Sequence, residues 1–118
     1  MDFKIDKKDG YTLVQVLNDR LDTHTAPALK SELVLIFSKG EKNILLNLDA
    51  CTYCDSSGLS AILVANRLCK NANGTFVLYG LQPTVEKLII ISQLDTVLNV
   101  SNDMEVAESF MKNSEIEN

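Results

Sequence analysis

The five residues Asp55-Ser56-Ser57-Gly58-Leu59 stand where the pattern of the sequence changes. Before them, Ile44–Leu48 is a compact apolar run, rich enough to be a strand buried on both faces. After them, residues 59–68 are apolar nearly all round, which indicates a heavily buried helix starting near Ser57. A buried strand, a short loop and a buried helix in this order predict one unit of an α/β sheet.

The segment before this junction predicts a hairpin. Residues 2–6 and 12–17 are strand-like runs, and the Asp9-Gly10 pair between them is a strong hairpin signal. Residues 18–24 are mostly polar and are predicted to form a loop. We therefore expect two antiparallel strands ahead of the first helix.

Three further helices are indicated by apolar residues at helical spacing. The first has Pro27 in its first turn and ends at Gly40, and the other two start at Pro83 and Asp103. The apolar residues predicted to face inward are Ala26, Leu29, Leu33, Ile36 and Phe37 in the first, Val85, Leu88 and Ile89 in the second, and Val106, Ala107, Phe110 and Met111 in the last.

Short strands separate the later helices. Thr75–Tyr79 follows an Asn73-Gly74 turn, and Val97–Val100 precedes the last helix. Strands that alternate with helices after a hairpin predict one α/β domain, with a mixed, mostly parallel sheet of about four to five strands covered by about four helices. We assign the domain to residues 1–112 and expect residues 113–118 to be a frayed polar tail.

Composition excludes several classes of function. The chain has 118 residues, enough for one core, and a net charge of −5 with a pI near 4.7. An acidic surface argues against nucleic-acid binding and suits a partner with a basic patch. Met1–Ile5 lacks an apolar signal region, no apolar run reaches membrane-spanning length, and the three cysteines suit a reducing compartment. We expect a cytoplasmic protein that does not contact membranes.

The junction also has the properties of an anion site. Asp55-Ser56-Ser57 would lie where a buried strand ends and a helix begins, the edge at which ligands collect in α/β sheets. Free N–H groups and the helix dipole favour an anion there by about 0.3 to 1 kcal/mol, or about 2 when partly buried. A phosphoserine could therefore be held without melting the helix. Alternatively, one of these residues is only a helix N-cap, worth about 1 kcal/mol.

Three segments together resemble the STAS domains of anti-anti-sigma factors. Asp55-Ser56-Ser57-Gly58-Leu59, after a strand and a loop that contains Tyr53, looks like the family signature. Leu21-Asp22 with Thr25-Ala26 resembles the segment that opens the family's first helix. Residues 80–88 resemble the start of its third helix. The likeness covers nearly the whole chain in the family's order and spacing.

This resemblance implies a protein-binding switch, not an enzyme, with no catalytic residue, cofactor or metal. Ser56 would be phosphorylated by an ATP-dependent serine kinase that is also the anti-sigma factor, and a serine phosphatase would reset it. The unphosphorylated form would bind the anti-sigma factor and so free a sigma factor. The residues expected to bind the partner or to support the site are Asp22, Thr23, His24, Thr25, Tyr53, Asp55, Ser57, Gly58 and Leu59.

Two departures from the family pattern bear on the choice of partner. Asp19-Arg20 replaces the usual Gly-Glu before Leu21-Asp22, and Ser60 replaces the usual glycine after Gly58-Leu59. The particular partner is therefore open. A second interpretation is a STAS module that serves only as a scaffold, without phosphorylation. A more distant one is a receiver-like domain with a phosphoaspartate at Asp49, although the paired acidic residues that hold a receiver's metal are missing near Leu17.

Two further kinds of chemistry are disfavoured by the pattern of residues. Cys51-Thr52-Tyr53-Cys54 has redox spacing, but both cysteines precede the helix, whereas a thioredoxin-like site would place the second one inside it. Zinc would need about four ligands, and few further Cys or His candidates remain. A hydrolase triad of Asp22, His24 and Ser56 lacks the Gly-x-Ser-x-Gly elbow and room for a substrate cleft.

Overall fold

The structure is a computed structural model that describes the backbone of residues 2–117 and the side chains of residues 2–112. In chain order its elements are β1 (Phe3–Lys7), β2 (Thr12–Val16), β3 (Arg20–Leu21), α1 (Ala26–Ser38), β4 (Ile44–Asn47), β5 (Tyr53–Cys54), α2 (Ser56–Asn71), β6 (Phe76–Tyr79), α3 (Pro83–Ile91), a 3₁₀ turn (Leu94–Thr96), β7 (Asn99–Ser101) and α4 (Met104–Glu117).

A five-stranded sheet with the order β1-β2-β4-β6-β7 forms the centre of the domain. β1 and β2 run antiparallel, and the other three pairings are parallel. Gly10 has φ +89°, a conformation that glycine adopts without steric cost, in the turn between the first two strands. The predicted hairpin, the mostly parallel sheet and the four helices are confirmed.

The core has two parts, one on each face of the sheet. Ile44 and Leu46 of β4 face the cluster that receives α1, α2 and α3, whereas Leu45 faces the cluster that receives α4. Every residue of β4 is buried, which confirms the strand predicted to be covered on both faces. Along α2, residues 58–66 are all at least partly buried, as the nearly all-apolar run predicts.

A second, two-stranded sheet corrects the prediction that residues 18–24 and 51–55 are plain loops. β3 and β5 pair in parallel, with Arg20 opposite Tyr53 and Leu21 opposite Cys54. Strands of two residues are too short to show an alternating pattern, so the sequence carries no local signal for them. Their pairing joins the entrance of α1 to the entrance of α2.

Two expectations near the C-terminus are wrong in detail. The strand predicted at Val97–Val100 lies at Asn99–Ser101, because a 3₁₀ turn over Leu94–Thr96 precedes it and leaves Val97 half exposed. Val106 is predicted to face inward on α4 but is 46% exposed. That helix packs through Ala107 and Met111, which are four residues apart, so Val106 falls outside the contact.

The helix α4 is described to Glu117, but the side chains of 113–117 and the whole of residue 118 lie outside the described residues. The domain boundary at residue 112 therefore stays a prediction. Among the helices described, none is both long enough and apolar enough to span a bilayer.

Candidate functional site

The entrance of α2 is capped by Asp55, one of the three residues that the sequence offers as an N-cap. Its backbone is extended, and its Oδ1 accepts the amide N–H of Ser57 at 2.9 Å and that of Gly58 at 3.0 Å. Two of the N–H groups that a helix leaves unpaired are thereby satisfied by one carboxylate. The cap therefore does not require either serine hydroxyl.

Gly58 allows this helix to approach β3 closely. A Cβ atom added at Gly58 would lie 2.3 Å from the carbonyl oxygen of Leu21 and 2.6 Å from Sγ of Cys54. The amide N–H of Asp55 donates to the same carbonyl of Leu21 at 3.3 Å. Glycine is needed here for space, and the contact holds the start of α2 against the segment that leads into α1.

The two serines of this turn differ in their exposure to solvent. Ser56 is exposed, whereas Ser57 is half-buried. Within the described residues, no hydrogen bond involves Oγ of Ser56 or Ser57, while the cap uses the backbone amide of Ser57. The Ser56 hydroxyl is therefore open to solvent at the first residue of a helix whose cap is already complete.

The turn between β3 and α1, which lies beside the start of α2, is held together by a network of hydrogen bonds. Thr25 Oγ1 donates to the carbonyl of Arg20 at 2.9 Å and accepts the amide of Asp22 at 3.0 Å. Oδ1 of Asp22 accepts the backbone amide of His24 at 2.9 Å. Asp22 and Thr25 are both buried, so these two predicted residues shape the loop and leave Thr23 and His24 exposed.

Arg20 links the loop to the exposed aromatic ring of the site. Its Nε lies 3.1 Å from Oδ2 of Asp22, and its guanidinium sits 4.0 Å from the centroid of the Tyr53 ring. The amide of His24 and then the Arg20 guanidinium hold the pKa of the Asp22 carboxyl below its usual value. Asp22 is therefore an anion at neutral pH, paired with Arg20.

A cleft of about 320 Å³ lies between the starts of α1 and α2. It brings together three of the predicted residues, Thr23, Ser56 and Ser57, whereas Tyr53 lies apart, stacked against Arg20. Leu59 is half-buried and packs against the core. Of the predicted site residues, Gly58 and Leu59 therefore pack against the rest of the domain.

Residues that the sequence did not single out for the site also hold it in place. Gln82 Nε2 donates to the carbonyl of Asp49 at 2.6 Å, and Thr84 Oγ1 donates to the carbonyl of Thr52 at 2.6 Å. Both contacts tie the start of α3 to the loop before β5. Lys30 lines the cleft as well. The two residues of each hydrogen bond are more than thirty positions apart in the chain. A local sequence motif therefore cannot predict these contacts.

The family assignment rests on the length of the match. The model of the STAS domain matches residues 2–107, which is most of the chain. The chain belongs to the STAS domain family. This confirms the resemblance of the three segments and agrees with the sheet and helices described above.

Curated relatives of this STAS domain are named as anti-sigma factor antagonists. BtrV of Bordetella bronchiseptica, a candidate anti-sigma factor antagonist, is 30% identical over 112 residues, which cover 95% of this chain and 96% of that protein. The anti-sigma-B factor antagonist of Bacillus subtilis is 26% identical over 102 residues, 86% of this chain and 93% of that protein. SpoIIAA, a Bacillus cell fate determinant, has been solved in its phosphorylated form. It superimposes with a TM-score of 0.69 at 20% identity, over 91% of this chain and 97% of that one.

The cysteines of the STAS domain behave as core residues. Cys51 and Cys54 are buried, and their thiols donate to the carbonyls of Tyr53 at 3.1 Å and Asp55 at 3.5 Å. Burial raises the pKa of Cys51 and raises that of Cys54 to about 12, so neither is a thiolate at neutral pH. Within the described part of the chain, no group of three or more His, Cys, Asp or Glu side chains is placed to hold a metal ion.

A hydrolase triad and a receiver-like phosphoaspartate both fit the STAS domain poorly. Oδ1 of Asp22 accepts the backbone amide of His24, and its Oδ2 is paired with Arg20, so the carboxylate is engaged away from any triad. Asp49 follows β4 as a phosphoaspartate would, but the family match argues against a receiver-like domain.

Proposed function

We propose that this STAS domain is an anti-sigma factor antagonist whose binding to an anti-sigma factor that is also a serine kinase is switched by a phosphate on Ser56. The observation that carries this proposal is the exposure of Ser56 beside a cap that Asp55 completes alone. Such a hydroxyl is accessible to a kinase and can be modified without removing any described hydrogen bond. The names of the relatives support the choice of partner.

The modification is a phosphoryl transfer from ATP to the serine. The Oγ atom of Ser56 forms a bond to the γ-phosphorus of ATP, and the bond from that phosphorus to the bridging oxygen of ADP breaks. ADP leaves, and the hydroxyl proton passes to a base of the kinase. The reverse reset is hydrolysis by a serine phosphatase, in which water takes the phosphoryl group and Ser56 regains its proton.

The unphosphorylated surface is the one expected to bind. It combines the exposed Thr23, His24 and Tyr53 with the rim formed by Ser56. The buried Asp22 and Thr25 shape the loop that presents the first two. We expect a basic patch on the partner, because the chain carries a net charge of −5.

Phosphate on Ser56 would disrupt docking and leave the fold intact. It adds about −1.5 to −2 charges to this surface, next to the carboxylate of Asp55. A loss of about 4 kcal/mol in binding free energy suffices to weaken the complex about a thousandfold. The helix itself tolerates the new anion, because an anion near a helix N-terminus is stabilising.

In this proposal the chain is a binding protein of the cytoplasm and not an enzyme. The described site includes a tyrosine that stacks against Arg20 and a histidine, His24, whose backbone amide donates to Oδ1 of Asp22. The activity of the sigma factor would be regulated by whether the anti-sigma factor binds it or binds this STAS domain. The sigma factor is freed when the unphosphorylated STAS domain occupies the anti-sigma factor.

The test compares Ser56→Ala with Ser56→Asp. A pull-down from the organism of origin identifies the kinase, and titration calorimetry then measures binding to it. We expect Ser56→Ala to bind like the unphosphorylated protein and to resist phosphorylation, and Ser56→Asp to bind far more weakly. Ser57→Ala is the matched control for the acceptor, since it removes the neighbouring half-buried hydroxyl and should leave phosphorylation at Ser56 unchanged.

Mass measurement separates the switch from a scaffold. Protein purified from its host should show a fraction with one added phosphoryl group, mapped to Ser56 and stable to acid. Equal affinity of Ser56→Ala and Ser56→Asp for the kinase, with no phosphopeptide at any growth stage, would instead support a STAS module that only assembles partners.

A further inference from the structure

Lys30 is a cation placed beside the proposed phosphorylation site. It lies on the side of α1 that faces α2, and its Nζ donates to Oγ of Ser60 at 3.0 Å. The cleft that Lys30 lines is also lined by Ser56 and Ser57. An ammonium group and the exposed hydroxyl thus share one small, partly enclosed volume of solvent.

The ammonium of Lys30 has no carboxylate to neutralise it among the described side chains. The ion pairs described are Lys4 with Asp6, Lys7 with Glu41 and Arg20 with Asp22. Of the residues that line the cleft, Lys30 alone carries a formal charge. Its contact with Ser60 is therefore a hydrogen bond to a neutral group, which an anion can outcompete.

Two carboxylates, those of Asp55 and Asp22, belong to the turns that lead into α2 and α1. Asp55, directly before Ser56, is held by the amides of the helix start, and Asp22 is paired with Arg20. His24 lies exposed in the loop before α1. The two carboxylates oppose a phosphate on Ser56, so a single uncommitted cation across the cleft is the group able to offset them.

We propose that Lys30 is the phosphate-positioning residue of this STAS domain: its ammonium moves from Ser60 Oγ to the phosphate on Ser56. The inference rests on the proposed function, because it needs Ser56 to be phosphorylated. It deepens that function by naming the group within the chain that receives the phosphate.

The geometry of α2 makes this movement short. Ser56 and Ser60 are four residues apart on one helix, so they lie on the same face with their Cβ atoms about 5–6 Å apart. A phosphate extends outward from Ser56 Oγ, and the flexible four-carbon stem of Lys30 allows its head to change partner.

Ser60 gives the unphosphorylated state a defined position for Lys30. Its hydroxyl oxygen accepts the hydrogen bond from the Lys30 ammonium. In this chain the ammonium rests on Ser60 until the phosphate arrives. The phosphorylated surface therefore differs from the unphosphorylated one by an added phosphate and also by a moved lysine, and both changes are presented to the partner.

The experiment measures the second pKa of the phosphate. Phosphoserine is installed at position 56 during translation of the full chain, which needs no kinase, and phosphorus-31 NMR follows its titration. Because Lys30 favours the dianion, we expect Lys30→Gln to raise this pKa by about 0.3 to 0.7 unit. Lys30→Arg, which keeps the charge, should restore a value close to that of the original protein.

Two further variants act as controls. Lys39→Gln removes a charge at the far end of α1, beyond its last residue, and should leave the titration unchanged. Ser60→Ala frees the ammonium without removing it, so the phosphate pKa should stay the same or fall. Circular dichroism on each variant checks that the helices are intact.

Three results would overturn the role of Lys30. They are an unchanged pKa in Lys30→Gln, an equal shift in Lys39→Gln, and a rise in Ser60→Ala as large as that in Lys30→Gln. None of them affects the switch itself, which depends on the binding of Ser56→Ala and Ser56→Asp to the kinase. The two proposals can therefore fail separately.

Discussion

The starts of α1 and α2 lie side by side on one surface but are stabilised in different ways. α2 begins with a side-chain cap, in which Asp55 accepts two amides of the first turn. α1 follows its N-cap residue, Thr25, whose side chain makes no capping bond to the helix. Instead, the carbonyl of Asp22 accepts the amides of Thr25 at 3.2 Å and Ala26 at 2.8 Å.

This difference bears on which hydroxyl of the site suits the proposed phosphate. At α1 the hydroxyl of Thr25 is buried and bonded within the loop, so a phosphate there would break the turn. At α2 the cap belongs to Asp55, and the hydroxyl of Ser56 is left outside the network. The proposed switch residue therefore fits Ser56 and not Thr25.

The largest expected effect comes from filling the space that joins the two helix starts. Gly58→Ala places a methyl group against the carbonyl of Leu21, which cannot move without disturbing β3. We expect a loss of about 2 to 3 kcal/mol in unfolding free energy, even though alanine is the better helix former. Urea denaturation followed by circular dichroism measures it.

The neighbouring position is the control for that substitution. Ser57→Ala changes a half-buried residue in the same turn without adding atoms near Leu21, so it should alter stability by less than about 0.5 kcal/mol. Equal stability of Gly58→Ala and the original protein would mean that the two helix starts are not held together by this close approach.

The second-largest expected loss of stability comes from removing the buried hydroxyl of Thr25 at the start of α1. Thr25→Val keeps the shape of the side chain but leaves the buried amide of Asp22 without its acceptor. We expect a loss of about 1 to 2 kcal/mol, because an unsatisfied buried donor keeps its desolvation cost. Thr23→Val, two residues away and exposed, should be close to neutral in the same denaturation experiment.

The contrast also explains what the sequence could predict. The cap at Asp55 joins residues two and three apart, so a local pattern of strand, Asp-Ser-Ser and apolar helix is sufficient to suggest it. The approach of Gly58 to Leu21 and the contact of Lys30 with Ser60, thirty residues apart, depend on how α1 and α2 pack. Periodicity predicts each helix but not which side chains meet between them.

A third effect concerns the cap itself. Asp55→Ala removes the acceptor of two amides and should cost about 1 kcal/mol, whereas Asp55→Asn keeps an acceptor oxygen and should cost less. If the cap is what frees Ser56 for modification, the kinase should phosphorylate Asp55→Asn at Ser56 more efficiently than Asp55→Ala. Denaturation and a phosphorylation time course on the same samples test both statements. Equal phosphorylation rates would show that capping and modification are independent.

The smallest expected effect is the pH dependence of the α1 start. The pKa of Asp22 lies below its ordinary value of 3.8, first because the amide of His24 donates to it and then because Arg20 does. A lowered pKa in the folded state means that the ionised carboxylate stabilises the fold above the unfolded-state value. This contribution is lost as the pH falls below about 4 and through the folded pKa.

Asp22→Asn isolates this contribution, because asparagine keeps an acceptor for His24 but has no charge to pair with Arg20. The stability difference between the original protein and Asp22→Asn should be constant from neutral pH down to about 5 and should shrink below about 4. Asp95→Asn, at an exposed side chain outside the described ion pairs, is the control and should not reproduce that curve. A difference that grew on acidification would mean that Asp22 is more readily protonated in the folded state, and the anionic α1 start inferred from its contacts would be wrong.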